Sequence, residues 1–299
     1  MKKFAFFIYF LTLLACKEKV SPSESDVFDS PTDLGLLENK SINEASGLIA
    51  SVKNSGYLWT HNDSGDTNRI FLIDQNGKGT REFYLEGATN RDWEAISMAS
   101  FTEGSFLYIA DIGDNDAKYE NCFIYKVAEP LVGSSTPQTN VLSNVQKITF
   151  KYPDGARDAE SLMIDQATKD IYILSKRESN QRLYRLPYPQ SFSEIITAEF
   201  VETVDFSNAT NASLYLTDGS ISGDNQEILI RNYFQVFHWR RGSNESVAET
   251  LKRSPNTYSY SVEPQGEGIC FSSNQKSFFT ISEEGSLKAP VRLYQSTKK

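Results

Sequence analysis

The chain is 299 residues long, 39% hydrophobic and 12% aromatic, which excludes a disordered protein and supplies material for a large core. Its 3 cysteines exclude a disulfide scaffold and a cysteine-based zinc cluster. With 30 Lys and Arg against 39 Asp and Glu, the formal charge of -9 argues against nucleic acid and bare anionic lipid as bulk partners.

Met1-Lys2-Lys3 is a basic start, and an apolar or hydroxyl run follows to Leu14, too short to span a bilayer permanently. Residues 1–15 therefore read as a signal peptide, whose loss takes the formal charge to -11 because it carries Lys2, Lys3 and no acid. Leu13-Leu14-Ala15-Cys16 resembles the bacterial lipobox. That resemblance implies cleavage before Cys16 and lipidation of its thiol, hence a cell-envelope protein anchored to a bilayer, with the outer membrane as the expected site and its periplasmic or surface face left open. Residues 16–33 are rich in Ser, Pro and charge without apolar periodicity, and read as a tether.

From residue 34 onward short alternating apolar runs dominate, at 57–61, 69–73, 107–111, 171–175, 228–231 and 278–282. Turn signals separate them, such as Asn54-Ser55-Gly56 and Asn76-Gly77-Lys78-Gly79. A weak repeat organises these strands, opening at Glu44, Glu94, Glu160 and Glu267, with a fourth unit required near Asn211. Four strands per unit of roughly 50 residues is the pattern of a β-propeller blade. The expected fold is all-β, a single five-bladed propeller over 34–299. The fifth unit runs out after its third strand, so 34–39 is expected to supply the missing outer strand and close the ring. A six-bladed alternative needs a blade hidden in 128–147, which is Pro, Ser and Thr rich and reads better as a loop. Cys122 and Cys270 fall in different blades and are expected as free thiols.

In such blades the start of the first strand and the end of the second lie on one face of the disc, around the channel mouth. Carboxylates gathered there make a hard oxygen environment suited to Ca²⁺. The candidate metal ligands are Glu44, Glu94, Asp111, Asp114, Glu160 and Glu267. Asn62, Asp63, Asn115, Lys176 and Glu283 share the face as candidate ligand-binding residues, and His61, Arg177 and Arg231 as candidate catalytic ones. Acid, metal and arginine around one mouth suit a phosphate or carboxylate ligand, the metal polarising it and the guanidinium pairing with its oxygens. The same acids could instead be structural, accepting backbone N–H bonds at turns or tying blades together, and for Asp92 and Asp158 that reading is preferred. No P-loop, dinucleotide fingerprint, EF-hand loop or nucleophile elbow is present.

The motifs Asp92-Trp-Glu-Ala-Ile96, Asp111-Ile-Gly-Asp-Asn115, Gly155-Ala-Arg-Asp-Ala-Glu-Ser161 and Pro264-Gln-Gly-Glu-Gly-Ile269 resemble those of a family of uncharacterised bacterial secreted propeller proteins. The resemblance covers roughly 40–295 and implies the fold but no activity. More distantly the chain is similar to phytase-like and gluconolactonase-like propellers, which implies a metal at the channel mouth and no particular reaction.

Two functions follow as expectations. The first is a lipid-anchored monomeric propeller whose calcium-binding mouth binds or hydrolyses an anionic small molecule such as a phosphoester. The second is a non-enzymatic envelope module for a protein or glycan.

Overall fold

The computed structural model describes residues 27–178, 180–206, 215–259 and 263–299. Cys16 and Asn211 lie outside them. The chain begins with β1 (Thr32–Leu36) and then builds blades around a central axis. Blade 1 is β2 (Ala45–Ala50), β3 (Tyr57–Asn62), β4 (Arg69–Asp74) and β5 (Arg81–Leu85). Blade 2 is β6 (Trp93–Phe101), β7 (Gly104–Asp111), β8 (Cys122–Ala128) and, after β9 (Thr139–Leu142), β10 (Gln146–Lys151). Blade 3 is β11 (Ala159–Ile164), β12 (Ile171–Ser175), β13 (Gln181–Leu186) and, after β14 (Ile195–Thr197), β15 (Glu199–Val204). Blade 4 is β16 (Leu216–Ile221), β17 (Glu227–Asn232), β18 (Gln235–Arg240) and, after the short helix α1 (Val247–Leu251), β19 (Asn256–Ser259). Blade 5 is β20 (Gln265–Phe271), β21 (Ser277–Glu283) and β22 (Arg292–Thr297), completed by β1.

The protein is thus a five-bladed β-propeller closed by its own N-terminal strand. The closing strand is Thr32–Leu36, two to three residues ahead of the expected 34–39, and pairs antiparallel with β22 from Thr32 opposite Gln295 to Leu36 opposite Arg292. Ahead of it, Phe28 bridges Lys298 and is buried against Tyr258, Phe278 and His238. Residues 28–33, expected as part of a tether, therefore belong to the folded ring. The segment 128–147 holds no sixth blade: β9 lies parallel to β5 as an extra outer strand of blade 1, and β14 does the same beside β10 on blade 2.

Burial explains why these sequences take these places. The inner strands are covered on both faces by neighbouring blades, so β11 (Ala-Glu-Ser-Leu-Met-Ile) is buried throughout, whereas β13 alternates around exposed-side Arg182 and Arg185. One apolar cluster fills each junction between blades. Trp59, Phe83 and Trp93 pack blade 1 on blade 2; Phe150, Leu162 and Tyr184 pack 2 on 3; Leu174, Ile230 and Trp239 pack 3 on 4; Leu229, Phe271 and Phe278 pack 4 on 5; Leu48, Phe71 and Phe279 pack 5 on 1. Cys122 and Cys270 are buried free thiols in two different junctions.

Each inner strand carries an irregularity at its start, where an extra residue turns the chain into the mouth. The shifts fall at Ala45/Gly47, Trp93/Ala95, Ala159/Ser161, Leu216/Asp218 and Gly266/Ile269. The residues at these bulges are Ser46, Glu94, Glu160, Thr217 and Glu267.

Candidate functional site

The bulges arrange the mouth in two tiers. Ser46, Glu94, Glu160, Thr217 and Glu267 form the inner tier, and the residues two positions earlier, Glu44, Asp92, Asp158, Tyr215 and Gln265, form the outer one. Residues i and i+2 of an extended chain share a side, which is why the Arg-Asp-x-Glu frames at 91–94 and 157–160 bring two carboxylates together. The sequence reading prefers a structural role for Asp92 and Asp158; the repeated frame is the signal that would have placed them beside Glu94 and Glu160. It also corrects the alignment of Glu44, which stands at the level of Asp92 and not of Glu94. Serine fills its expected place in blade 1, and Thr217 fills that place in blade 4, six residues beyond Asn211.

Carboxylate oxygens of Asp63, Asp92 and Glu94 lie within 4.8 Å of one another, and so do those of Glu94, Asp158 and Glu160. Glu94 is common to both groups. Burial, with the charges of Glu160 and Asp63 added, holds Glu94 well above the usual carboxyl range. Burial and then the charges of Asp92 and Glu267, set against the Ser64 N–H, push Asp63 up to about 7. Burial and then Glu267, Asp63 and Glu44 push Glu283 up to about 10. Two causes run through these shifts, burial first and then repulsion among the carboxylates.

Lys176 is the buried positive group. Its Nζ donates to Glu160 Oε1 at 2.5 Å and to the Tyr233 hydroxyl at 3.4 Å. Burial opposes its charge, but Glu160 and Glu267 overcome that and hold the ammonium well above its ordinary value. Arg177 follows at the rim with a left-handed φ of 64°, its Nε 2.7 Å from Asp158 Oδ2 and its other donor on Asn115 Oδ1. Gln265 Nε2 bridges Glu267 Oε1 at 3.1 Å and Glu283 Oε2 at 2.6 Å.

Other candidates have different places. Asp111 is fully buried and accepts from the backbone N–H of Asp92 at 3.2 Å while pairing with Arg91 at 3.3 Å, so it fixes the loop that carries Asp92. Asp114 accepts from the N–H groups of Lys118 and Tyr119 at 2.9 and 2.7 Å, closing a turn, and its own N–H donates to Asp158. Glu44 faces Lys288 at 3.6 Å and lies beside Glu283, outside the two carboxylate triads. Asn62 donates to Ser41 O and Asp66, tying the loop after β3. Arg231 is fully buried, with its guanidinium on Glu263 at 3.0 Å and Gly268 O at 2.9 Å. His61 is fully buried too, its ring against Trp93 and its Nδ1 3.0 Å from Asn62 O, and burial lowers its pKa to about 4. Neither Arg231 nor His61 faces the mouth as a catalytic group must.

Close approach accounts for the glycines of the motifs. A Cβ on Gly113 would meet Glu94 Oε1 at 2.4 Å, and one on Gly266 would meet the Arg231 guanidinium at 1.9 Å. An all-oxygen, carboxylate-rich set around Glu94 fits a hard divalent cation such as Ca²⁺ and would not select a soft metal. Among the described residues, no helix is long and apolar enough to cross a membrane.

No protein-family model and no curated protein matches the chain. Among solved structures it is similar to a luciferin-regenerating enzyme, with a TM-score of 0.49 and 10% identity over 89% of this chain and 94% of that one. It is also similar to the β-propeller domain of Cps50 (Swd1) from Myceliophteria thermophila, with a TM-score of 0.46 and 9% identity over 88% and 99% of the two chains. A third similar chain is hydrazine synthase from Kuenenia stuttgartiensis, at 0.41 and 11% over 87% and 98%. What this chain shares with such proteins is the propeller architecture that its own strand order displays.

Proposed function

We propose that the mouth holds a divalent cation, Ca²⁺ first among them, and through it binds an anionic small molecule such as a phosphoester. The observation that carries this reading is the meeting of Asp63, Asp92 and Glu94, and of Glu94, Asp158 and Glu160, in two triads that run from a half-buried rim to a buried floor, where the Lys176 ammonium is already engaged by Glu160. A cation among those oxygens would relieve their repulsion, and Arg177, about half exposed at the rim, would meet an anion bound to its open side. Lipid anchoring through Cys16 is part of the same proposal and rests on the lipobox resemblance alone. Binding is the core of the reading; hydrolysis would need in addition a proton-transfer group at the mouth.

The test is thermal. After chelation, millimolar Ca²⁺ should raise the melting midpoint by about 5 °C, the effect of about 2.7 kcal/mol at a hundredfold excess over Kd on a domain of this size. A shift no larger than that from NaCl of equal ionic strength would remove the cation reading. With Ca²⁺ bound, inorganic phosphate should add a further shift that Arg177→Ala abolishes. For the anchor, Cys16→Ser should lose detergent-phase partitioning.

A second reading, a non-enzymatic module for a protein or glycan, draws on the lip of blade 4. There Tyr215 and Phe234 are exposed beside Tyr233, with the Tyr215 and Tyr233 rings 5.7 Å apart. Calcium-dependent stability with no turnover of p-nitrophenyl phosphate would favour it.

A further inference from the structure

The five inner strands end, on the face away from the carboxylates, around a cavity of about 320 Å³. Every blade contributes to its wall: Ile49 from blade 1, Met98 from blade 2, Gln166 from blade 3, Ile221 from blade 4 and Phe271 from blade 5. Among the described residues, no Asp, Glu, Lys, Arg or His lines it. The contrast with the other end of the channel is complete in chemistry, since the mouth is made of ionisable groups and this end of aliphatic, aromatic, hydroxyl and amide ones.

The two amide side chains at the rim are tied to backbone groups. Gln166 accepts from Ser100 N–H and donates to Met98 O, both at 3.0 Å, tying blade 3 to blade 2. Gln275 accepts from Gly223 N–H at 3.2 Å, tying blade 5 to blade 4, and donates to Ser273 O at 3.2 Å. These ties brace the rim across two blade junctions and engage the oxygen and one N–H of each amide. A guest would be held by apolar burial in a pre-formed pocket, whose water is poorly bonded and cheaply displaced. The volume is at the lower end of the range of small-molecule sites, roughly 300–1,000 Å³.

We infer that this end of the channel is a second binding site, for a neutral apolar small molecule. It is independent of any cation at the mouth. The probe for it is N-phenylnaphthylamine, an uncharged dye that brightens in apolar surroundings. Titrated into the full folded chain, it should show saturable binding with one dye per protein. Met98→Trp fills the cavity, and Val52→Trp and Ser273→Trp obstruct its rim from exposed positions where the fold tolerates a large side chain. Each should weaken dye binding at least tenfold, while Glu94→Gln at the mouth should leave it unchanged. Non-saturable brightening, or unchanged affinity in Val52→Trp and Ser273→Trp, would overturn the assignment. Loss of dye binding in Glu94→Gln with its fold intact would place the dye at the mouth and overturn it equally.

Discussion

The hydroxyl of Ser46 donates to the backbone carbonyl of Glu94 at 3.0 Å, with the Glu94 carboxylate 3.2 Å away, so the bulge of one blade holds the bulge of the next. Thr217 repeats the contact three blades on, its hydroxyl 3.1 Å from Glu267 O and 3.0 Å from Gly266 O. Blades 1 and 4, which bring no acid to the inner tier, bring the hydroxyl that positions the acid of their neighbour. Ser46→Ala and Thr217→Val should each cost about 1–3 kcal/mol, because a buried carbonyl loses its partner. Urea unfolding would read this as a lower midpoint at unchanged slope. A loss below a few tenths of a kcal/mol for both would mean the hydroxyls do not hold the ring.

The two tiers make a sharper claim about Ca²⁺ than acidity alone. Glu94 belongs to both carboxylate groups and Glu44 to neither. Glu94→Gln should abolish most of the calcium-induced rise in melting temperature, whereas Glu44→Gln should retain it. Equal loss in both would show that calcium responds to the general negative field of this face.

Stability should also depend on pH in a defined direction. Asp63 and Glu283, pushed up to about 7 and about 10, keep their protons in the folded chain at pH values where an unfolded chain has released them. The folded state then binds more protons, so stability falls as pH rises, by up to about 1.4 kcal/mol per pH unit for each group between its unfolded and folded values. Asp154 and Glu227 are shifted down, despite burial, by their hydrogen bonds and ion pairs, and oppose this trend only at the acid end, where they lose stability as they protonate. Metal-free protein should therefore melt several degrees lower at pH 8 than at pH 5. Asp63→Asn should flatten the profile mainly between pH 5 and 7. A profile that rises from pH 5 to 8 without metal would contradict the site electrostatics.

Ring closure depends on more than one strand. A chain starting at Ile42 lacks β1 and leaves β22 as an open edge, which should aggregate readily. A chain starting at Ser30 keeps β1 but loses Phe28, whose buried ring touches Phe278 at a centroid distance of 4.8 Å. That loss should cost about 3 kcal/mol, the lower end of values for removing a buried Phe. Melting of the two truncations against the chain from Val27 would rank them; a Ser30 start as stable as the longer chain would contradict the packing of Phe28.

The architecture was legible because each blade repeats the same alternation, and because the fifth unit visibly lacks a strand. Repetition also located the mouth. It failed on Glu44 because Glu-Ala at 44–45 mimics Glu-Ala at 94–95, while the bulge that sets the true register is a backbone event with no residue signature of its own. Asp111 and Arg231 looked like site residues because they end second strands, yet burial turns them to Arg91 and Glu263. His61 misled for the same reason: its place in the chain is near the mouth, but its ring points into the junction with Trp93. The apolar end of the channel had no sequence signal, since its wall takes one to four residues from each of five distant segments.

The clasp between β1 and β22 has a consequence for the chain while it is being made. Asp33 and Arg292, an ion pair across the clasp, are 259 residues apart in sequence. At roughly 5–20 residues per second, the first strand waits on the order of tens of seconds for a partner that is synthesised almost last. During that interval its free edge is guarded only by what it carries itself: Pro31 just ahead of it, the charge of Asp33, and the bulge between Asp33 and Gly35. Pro31 and the charge of Asp33 would disfavour pairing of β1 with the first complete blade to emerge, which would keep the order of synthesis and the order of assembly apart.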